Sequence, residues 1–201
     1  MPPVTLALVA ANVAVFLLQS AAPGILTPFA LWPIGAAEIS GGRASFQLWQ
    51  VVTYAFLHGG LVHLGFNMFA LYMFGGPVEQ VFGGRRYLIY YFVCVVSAAI
   101  AQLAVSAMTG AVYPAIGASG GVFGILLAYA IYFPRNRIML LFPPIPMPAR
   151  VFVIAYAVLE LFFGVTGTEE GVAHFAHLGG LVGGFLMLQY WRGIDLLRRR
   201  R

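Results

Sequence analysis

The chain has 201 residues, of which 61% are hydrophobic and only 8% charged, with a mean hydropathy of +0.90; a soluble domain carries roughly 25% charged residues. Too few polar residues are present to clothe a soluble core of this size, so the composition excludes a water-soluble globule and points to a membrane protein. The net charge of +5 comes from arginines beside apolar runs, a pattern of headgroup anchoring and topology that gives no reason to expect nucleic-acid binding.

A spanning helix needs about 20 mainly apolar residues. Six such runs follow one another, at about 4–21, 59–78, 87–108, 119–133, 151–165 and 172–191. They predict an all-α polytopic membrane protein, a six-helix bundle forming one membrane domain over 1–201. The first run ends at Ala21-Ala22-Pro23, with small residues as at the end of a signal peptide, but it has no basic leading segment and is long enough to span; a retained helix is expected. Residues 22–48 form one long connection carrying Trp32, Pro33, Phe46 and Leu48, with Trp49 just beyond it. That aromatic density suits a loop partly sunk in the interface. The lone Cys94 falls within the third run and has no partner for an intramolecular disulfide. The fourth and fifth runs are short, which suggests thinning, tilt or mobility.

Six spans put both termini on one side. Arg85, Arg86, Arg135, Arg137, Arg150, Arg192 and Arg198 to Arg201 share that side, and Arg43 is alone on the other. The positive-inside rule then predicts cytoplasmic termini in the cell membrane.

Polar side chains inside a bilayer are expensive and default to functional candidates. His63 and Asn67 lie near the start of the second run, Ser119 opens the fourth, and His174 and His177 begin the sixth. Even-numbered spans all start at the outer face, so three helices bring a serine, a histidine and an amide to one depth. A serine in a membrane helix more often packs or bonds back to its own helix, but a histidine at matching depth supplies the base that nucleophilic catalysis needs. The pairs Gly120/Gly124 and Gly180/Gly184 have the small-xxx-small spacing that lets membrane helices touch, and His177 shares a face with Gly180 and Gly184. His63 and Asn67, four apart, point from one helix face and could donate to a developing oxyanion. His58, one turn away, reads as a structural loop histidine.

No carboxylate is placed to complete a triad on this reading. Asp195 and Glu79 fall on the cytoplasmic side, Glu169 and Glu170 in the outer 166–171 loop, and Glu160 within the fifth run has no assigned role. The chemistry implied is a Ser–His dyad. His174 is expected at the interface beside Glu169 and Glu170, with His177 the deeper base.

The motifs G-A-S-G (117–120), H-L-G-F-N (63–67) and A-H-L-G-G-L-V-G-G (176–184) resemble the signatures of rhomboid intramembrane serine proteases, over nearly the whole chain and in the family's order. The resemblance implies an intramembrane serine endopeptidase of the minimal six-helix type, cutting single-pass membrane proteins in or near their spanning helix, with the lipid bilayer as its other partner and no cofactor or metal. It implies Ser119 as nucleophile, in a motif opened by Gly117, and His177 as general base. His63 and Asn67 become oxyanion support with the Ser119 N–H, Phe123 packs against the catalytic histidine, and Glu79 is structural. Where the family often has Trp-Arg before the second helix, this chain has Trp49-Gln50, which leaves that loop contact open. The alternatives are a catalytically inactive relative that binds membrane clients, a small transporter, and a metal site built from His174, His177 and His63. Both the serine and the histidine are present, the polar groups cluster at one end of the spans, and no acidic or cysteine ligand is seen to join the histidines.

Overall fold

A computed structural model describes residues 1–22, 24–36, 45–139, 144–166 and 173–199, with the backbone alone for 194–199. Pro23, Arg43, Glu169, Glu170, Arg200 and Arg201 lie outside the described residues, as do the side chains of Asp195, Arg198 and Arg199. Six long helices occur among the described residues: α1 Pro3–Ala21, α2 Leu61–Phe82, α3 Gly84–Thr109, α4 Ser119–Tyr132, α5 Ala149–Thr166 and α6 His174–Arg199. The chain is a multi-pass, all-α membrane protein. One small departure from that class is a hairpin between α4 and α5, in which β1 Arg137–Met139 pairs antiparallel with β2 Pro146–Pro148.

The bundle is built around α3 and α4. The buried face of α3 carries Tyr87, Tyr90, Tyr91, Cys94, Val95, Ala98 and Ala99, spaced three and four apart as a helix stripe requires. α4 is buried on nearly every side, from Gly120 to Ala130. Its 14 residues rise only about 21 Å, less than a hydrocarbon core. The shortfall is tolerable because neighbouring helices, not lipid, surround it. Two tyrosines stitch this centre together: Tyr90 Oη donates to the Gly124 carbonyl (2.8 Å), and Tyr54 Oη to the Val95 carbonyl (2.8 Å).

Glycines set the helix separations. A Cβ at Gly180 would strike the Gly120 carbonyl of α4, and one at Gly124 would strike Cys94 of α3. Gly184 abuts Tyr90, Gly183 abuts Ser97, and Gly179 abuts Ala101 and the Ser97 carbonyl. The predicted touch of α4 and α6 is therefore a backbone contact at Gly120–Gly180, and Gly179, Gly183 and Gly184 seat α6 on α3. Cys94 is a packing group filling the space those glycines leave.

At the other end of the bundle, α1 begins with no acidic residue of its own in the first turn. Its unpaired N–H groups are met instead from α2. Val4 N–H donates to Glu79 Oε1 (3.0 Å), and Thr5 donates to Glu79 Oε2 through both its N–H (2.7 Å) and its hydroxyl (2.7 Å). Glu79 is 3% exposed. A carboxylate 74 residues away thus caps a helix N-terminus, satisfying orphan donors and the positive end of the dipole together.

The long connection after α1 is organised by Gln50, 1% exposed. Its Oε1 accepts from Trp32 N–H (3.1 Å), and its Nε2 donates to the carbonyls of Pro28 (2.9 Å) and Ser45 (3.0 Å). The amide therefore ties three points of the loop, and the contact left open at this position is made by Gln50 itself. Leu31 and Ala115 exchange both backbone hydrogen bonds (3.0 and 2.9 Å), which ties the loop to the segment entering α4.

Glu79→Ala leaves three donors unpaired in a buried site, a loss of about 3 kcal/mol by the usual cost of such groups. We expect the melting temperature in detergent to fall by about 5–10 °C.

Candidate active site

α4 starts abruptly because of Gly117. Its φ of +125° is a conformation that side chains rarely adopt, and a Cβ there would lie 2.8 Å from two atoms of the His63 ring. Gly117 N–H is held by the Tyr54 carbonyl (2.9 Å). Ser119 follows as the first residue of the helix, where backbone N–H groups of the first turn have no partner within the helix.

Ser119 Oγ lies 2.8 Å from His177 Nε2. The imidazole is stacked on Phe123, ring centroids 4.4 Å apart and planes within 7°, and Phe123 is backed in turn by Tyr156 of α5 (4.8 Å). Because Phe123 is one helical turn below Ser119 on the same helix, one element presents the hydroxyl and levels the ring that meets it.

His63 borders the opposite side. Its Nδ1 accepts from Gly59 N–H (3.3 Å), which leaves the proton of a neutral ring on Nε2, the atom lying against Gly117. His63 can thus donate toward the space beside Ser119. Asn67 is buried, and its Nδ2 donates to the His63 carbonyl (3.0 Å), one turn away on the same helix. It bonds first to its own helix, and its remaining N–H is the one available to a ligand. His58 is fully buried, and both its ring nitrogens lack a partner. Its ring meets that of His63 edge-on at 5.0 Å. Burial pushes the His58 pKa down to about 4, and the nearby His63 adds to this.

Two readings of the sequence are corrected here. First, a carboxylate does reach the pair: Glu160 Oε2 lies 2.9 Å from His177 Nδ1. Second, His174 does not sit at an interface. It is 5% exposed, and its Nδ1 lies 2.7 Å from the same Glu160 oxygen. The missing signal was depth counted along an odd-numbered helix. α5 ends at Thr166, and Glu160 is six residues, or about 9 Å, before that end; α6 starts from the same end with His174. Glu160, His174 and His177 also form the one cluster of potential metal-ligating atoms among the described residues, within 4.8 Å of one another. Glu160 supplies the acidic member that was not seen beside the histidines, and His63 is not in the group. The two Nδ1 atoms hydrogen-bond to one carboxylate oxygen, so the three groups are paired with one another.

The helices and the polar cluster at one end define a multi-pass membrane protein in which a serine and a histidine from different helices are hydrogen-bonded. Residues 45–192 match the Rhomboid domain family model. The chain is 32% identical over 184 residues to Rhomboid protease GluP of Bacillus subtilis (strain 168), covering 92% of this chain and 34% of that protein. It is 30% identical over 197 residues to Rhomboid protease GlpG of Serratia proteamaculans (strain 568), covering 94% and 62%, and 28% identical over 158 residues to Putative rhomboid protease YdcA of B. subtilis, covering 78% and 74%. The chain belongs to the rhomboid family. It spans about a third of the first of these relatives and under two thirds of the second.

Gly117→Ala combines a strained φ with a collision against His63. Displacements of this size cost about 10²-fold at a reacting centre, so we expect the labelling rate of Ser119 by a fluorophosphonate probe to fall by about that factor. An unchanged rate would show that the loop relaxes without moving the serine.

Proposed function

We propose that the chain is an intramembrane serine endopeptidase that cuts single-pass membrane proteins in or near their spanning helix, as one rhomboid membrane domain over 1–201. The observation that carries this reading is the 2.8 Å contact of Ser119 Oγ with His177 Nε2 at a helix N-terminus. Ser119 Oγ attacks the scissile carbonyl as His177 Nε2 takes the hydroxyl proton. Charge developing on the carbonyl oxygen is met by first-turn N–H groups of α4, with His63 Nε2–H and Asn67 Nδ2–H as further donors. His177 then gives its proton to the leaving amine, and a water activated by the same nitrogen releases the acyl group.

The substrate class follows from where this chemistry sits. A peptide bond in a spanning helix is shielded by its own hydrogen bonds, so it must unwind before attack, and water must reach it. A site at one end of the bundle, among helix starts and loops, suits both needs. Arg85, Arg86, Arg135, Arg137, Arg150 and Arg192 all belong to the opposite end by the alternation of the helices; the positive-inside rule makes that end, with both termini, cytoplasmic in the cell membrane, and the site faces out.

Ser119→Ala should abolish cleavage of a recombinant single-pass substrate in detergent while leaving the melting curve intact, since the glycine packing is untouched. His177→Ala should be equally inactive and the double variant no worse, because groups acting as a unit lose activity non-additively; His174→Ala should keep measurable activity. Normal turnover by Ser119→Ala would end the protease reading. For topology, a cysteine replacing the exposed Ser45 should react with an impermeant maleimide on intact cells and one replacing the exposed Asn136 should not; Cys94 is buried and gives no background. The opposite labelling would turn the active site toward the cytoplasm.

A further inference from the structure

Only Ala149, Val153 and Glu160 are buried on α5, while Ile154, Val158, Leu161, Phe162 and Val165 are exposed toward the surroundings. A carboxylate on the inner stripe of such a lipid-facing helix is costly unless it is paired. It has been placed where one oxygen meets two imidazoles: His174 Nδ1 at 2.7 Å and His177 Nδ1 at 2.9 Å. Both nitrogens of His177 are therefore engaged, Nδ1 by Glu160 and Nε2 by Ser119.

We propose that Glu160 is a positioning carboxylate for the Ser119–His177 pair, holding His177 in the tautomer whose Nε2 is free to accept the serine proton. This rests on the protease reading above and adds a third member to it. A carboxylate only accepts, so each imidazole must present Nδ1–H to Oε2. A neutral His177 protonated on Nδ1 has its lone pair on Nε2, facing the hydroxyl hydrogen of Ser119. The other neutral tautomer would put N–H against Ser119 and leave no base. During attack, one proton moves from Ser119 Oγ to His177 Nε2, and the carboxylate keeps its charge and faces the imidazolium that results. The proton returns from Nε2 to the leaving amine, so nothing is consumed.

His174 serves the same arrangement from one turn away. With Nδ1 carrying the proton, its Nε2 is an acceptor, and it is buried without a partner. The second N–H fixes the Glu160 oxygen from the other side, so the carboxylate cannot turn away from His177. His174 does not touch Ser119 and is a positioning residue at one further remove.

The simpler role for Glu160 is to tie α5 to α6, and the test must separate the two. The full chain in detergent is used with a fluorogenic single-pass transmembrane substrate, comparing wild type, Ser119→Ala and Glu160→Gln. Glutamine is nearly isosteric, but its amide N–H₂ can donate to His177 Nδ1 and favour the wrong tautomer. The expected result is a fall in kcat of about 10²- to 10⁴-fold, the upper figure being the loss that follows the corresponding amide exchange in a serine protease triad, with KM within about threefold. ¹⁵N-histidine spectra should show His177 protonated on Nδ1 in wild type and on Nε2 in Glu160→Gln. A tether alone would lower the melting temperature and leave kcat per folded molecule and the tautomer unchanged. Folded Glu160→Gln with kcat within about threefold of wild type overturns the proposal. If the variant does not fold, the wild-type spectrum decides, since an Nε2–H His177 is incompatible with it. A wild type that cuts no substrate removes the protease reading and this role together, whereas an active wild type with an active Glu160→Gln removes only the carboxylate's role.

Discussion

The contact on which the site depends contains no functional group. α4 and α6 meet where the Gly120 carbonyl faces the Cα of Gly180, so closely that a single methyl on Gly180 would strike backbone. Backbone cannot swing aside as a side chain can, so a larger residue must push the helices apart. Ser119 precedes Gly120 and His177 lies one turn before Gly180, so any separation is passed almost undiminished to the Oγ to Nε2 distance. A hydrogen bond of 2.8 Å tolerates little of it. Dispersion between close backbones, which drives helix association where no hydrophobic force operates between helices and lipid, is here also what sets the reach of His177 to Ser119.

The same solvent dictates how the other polar groups are handled. In hydrocarbon an unpaired donor or acceptor costs several kcal/mol, and several of the polar residues accordingly form closed sets. Glu79 takes three donors from α1. Gln50 engages its carbonyl oxygen and both amide hydrogens. Tyr54 and Tyr90 spend their hydroxyls on carbonyls of α3 and α4. Against this background, Ser119, His63 and Asn67 differ in kind. Each retains a donor or acceptor directed toward space beside the serine.

Much of this was legible in the sequence, for identifiable reasons. Hydropathy counts length, so the six helices were readable, although α2 and α6 run further than their apolar cores because Glu79 is buried by its hydrogen bonds to α1 and the last turns of α6 extend beyond the apolar run. The meeting of Ser119 with His177 was readable because glycine spacing and depth both point to it. Glu160 was not, because a carboxylate inside a span carries no sign of which neighbour it faces; only the common end of α5 and α6 brings it to the histidines. Gln50 was unreadable for another reason. Its partners are carbonyls at 28 and 45, and any residue could stand there, since the loop's path alone delivers them. The hairpin was missed because 134–148 is rich in proline and lacks the alternation that marks a strand.

Helix packing and proton chemistry meet at α5. This helix buries three residues, and the one nearest the site is the carboxylate. At that end α5 meets α6 through the bonds of Glu160 to His174 and His177, the Phe163–His174 ring contact and the close approach of Gly164 to His174 and Phe175, with the Phe123–Tyr156 contact to α4 beside them. A displacement of α5 by an ångström or two would lengthen the Glu160–His177 bond and loosen the aromatic stack on the imidazole together, because Tyr156 and Glu160 are four residues apart on one face. The position of α5 and the orientation of the His177 ring are then one variable. Whatever occupies the space beside α5 acts on His177 through the packing of that single helix.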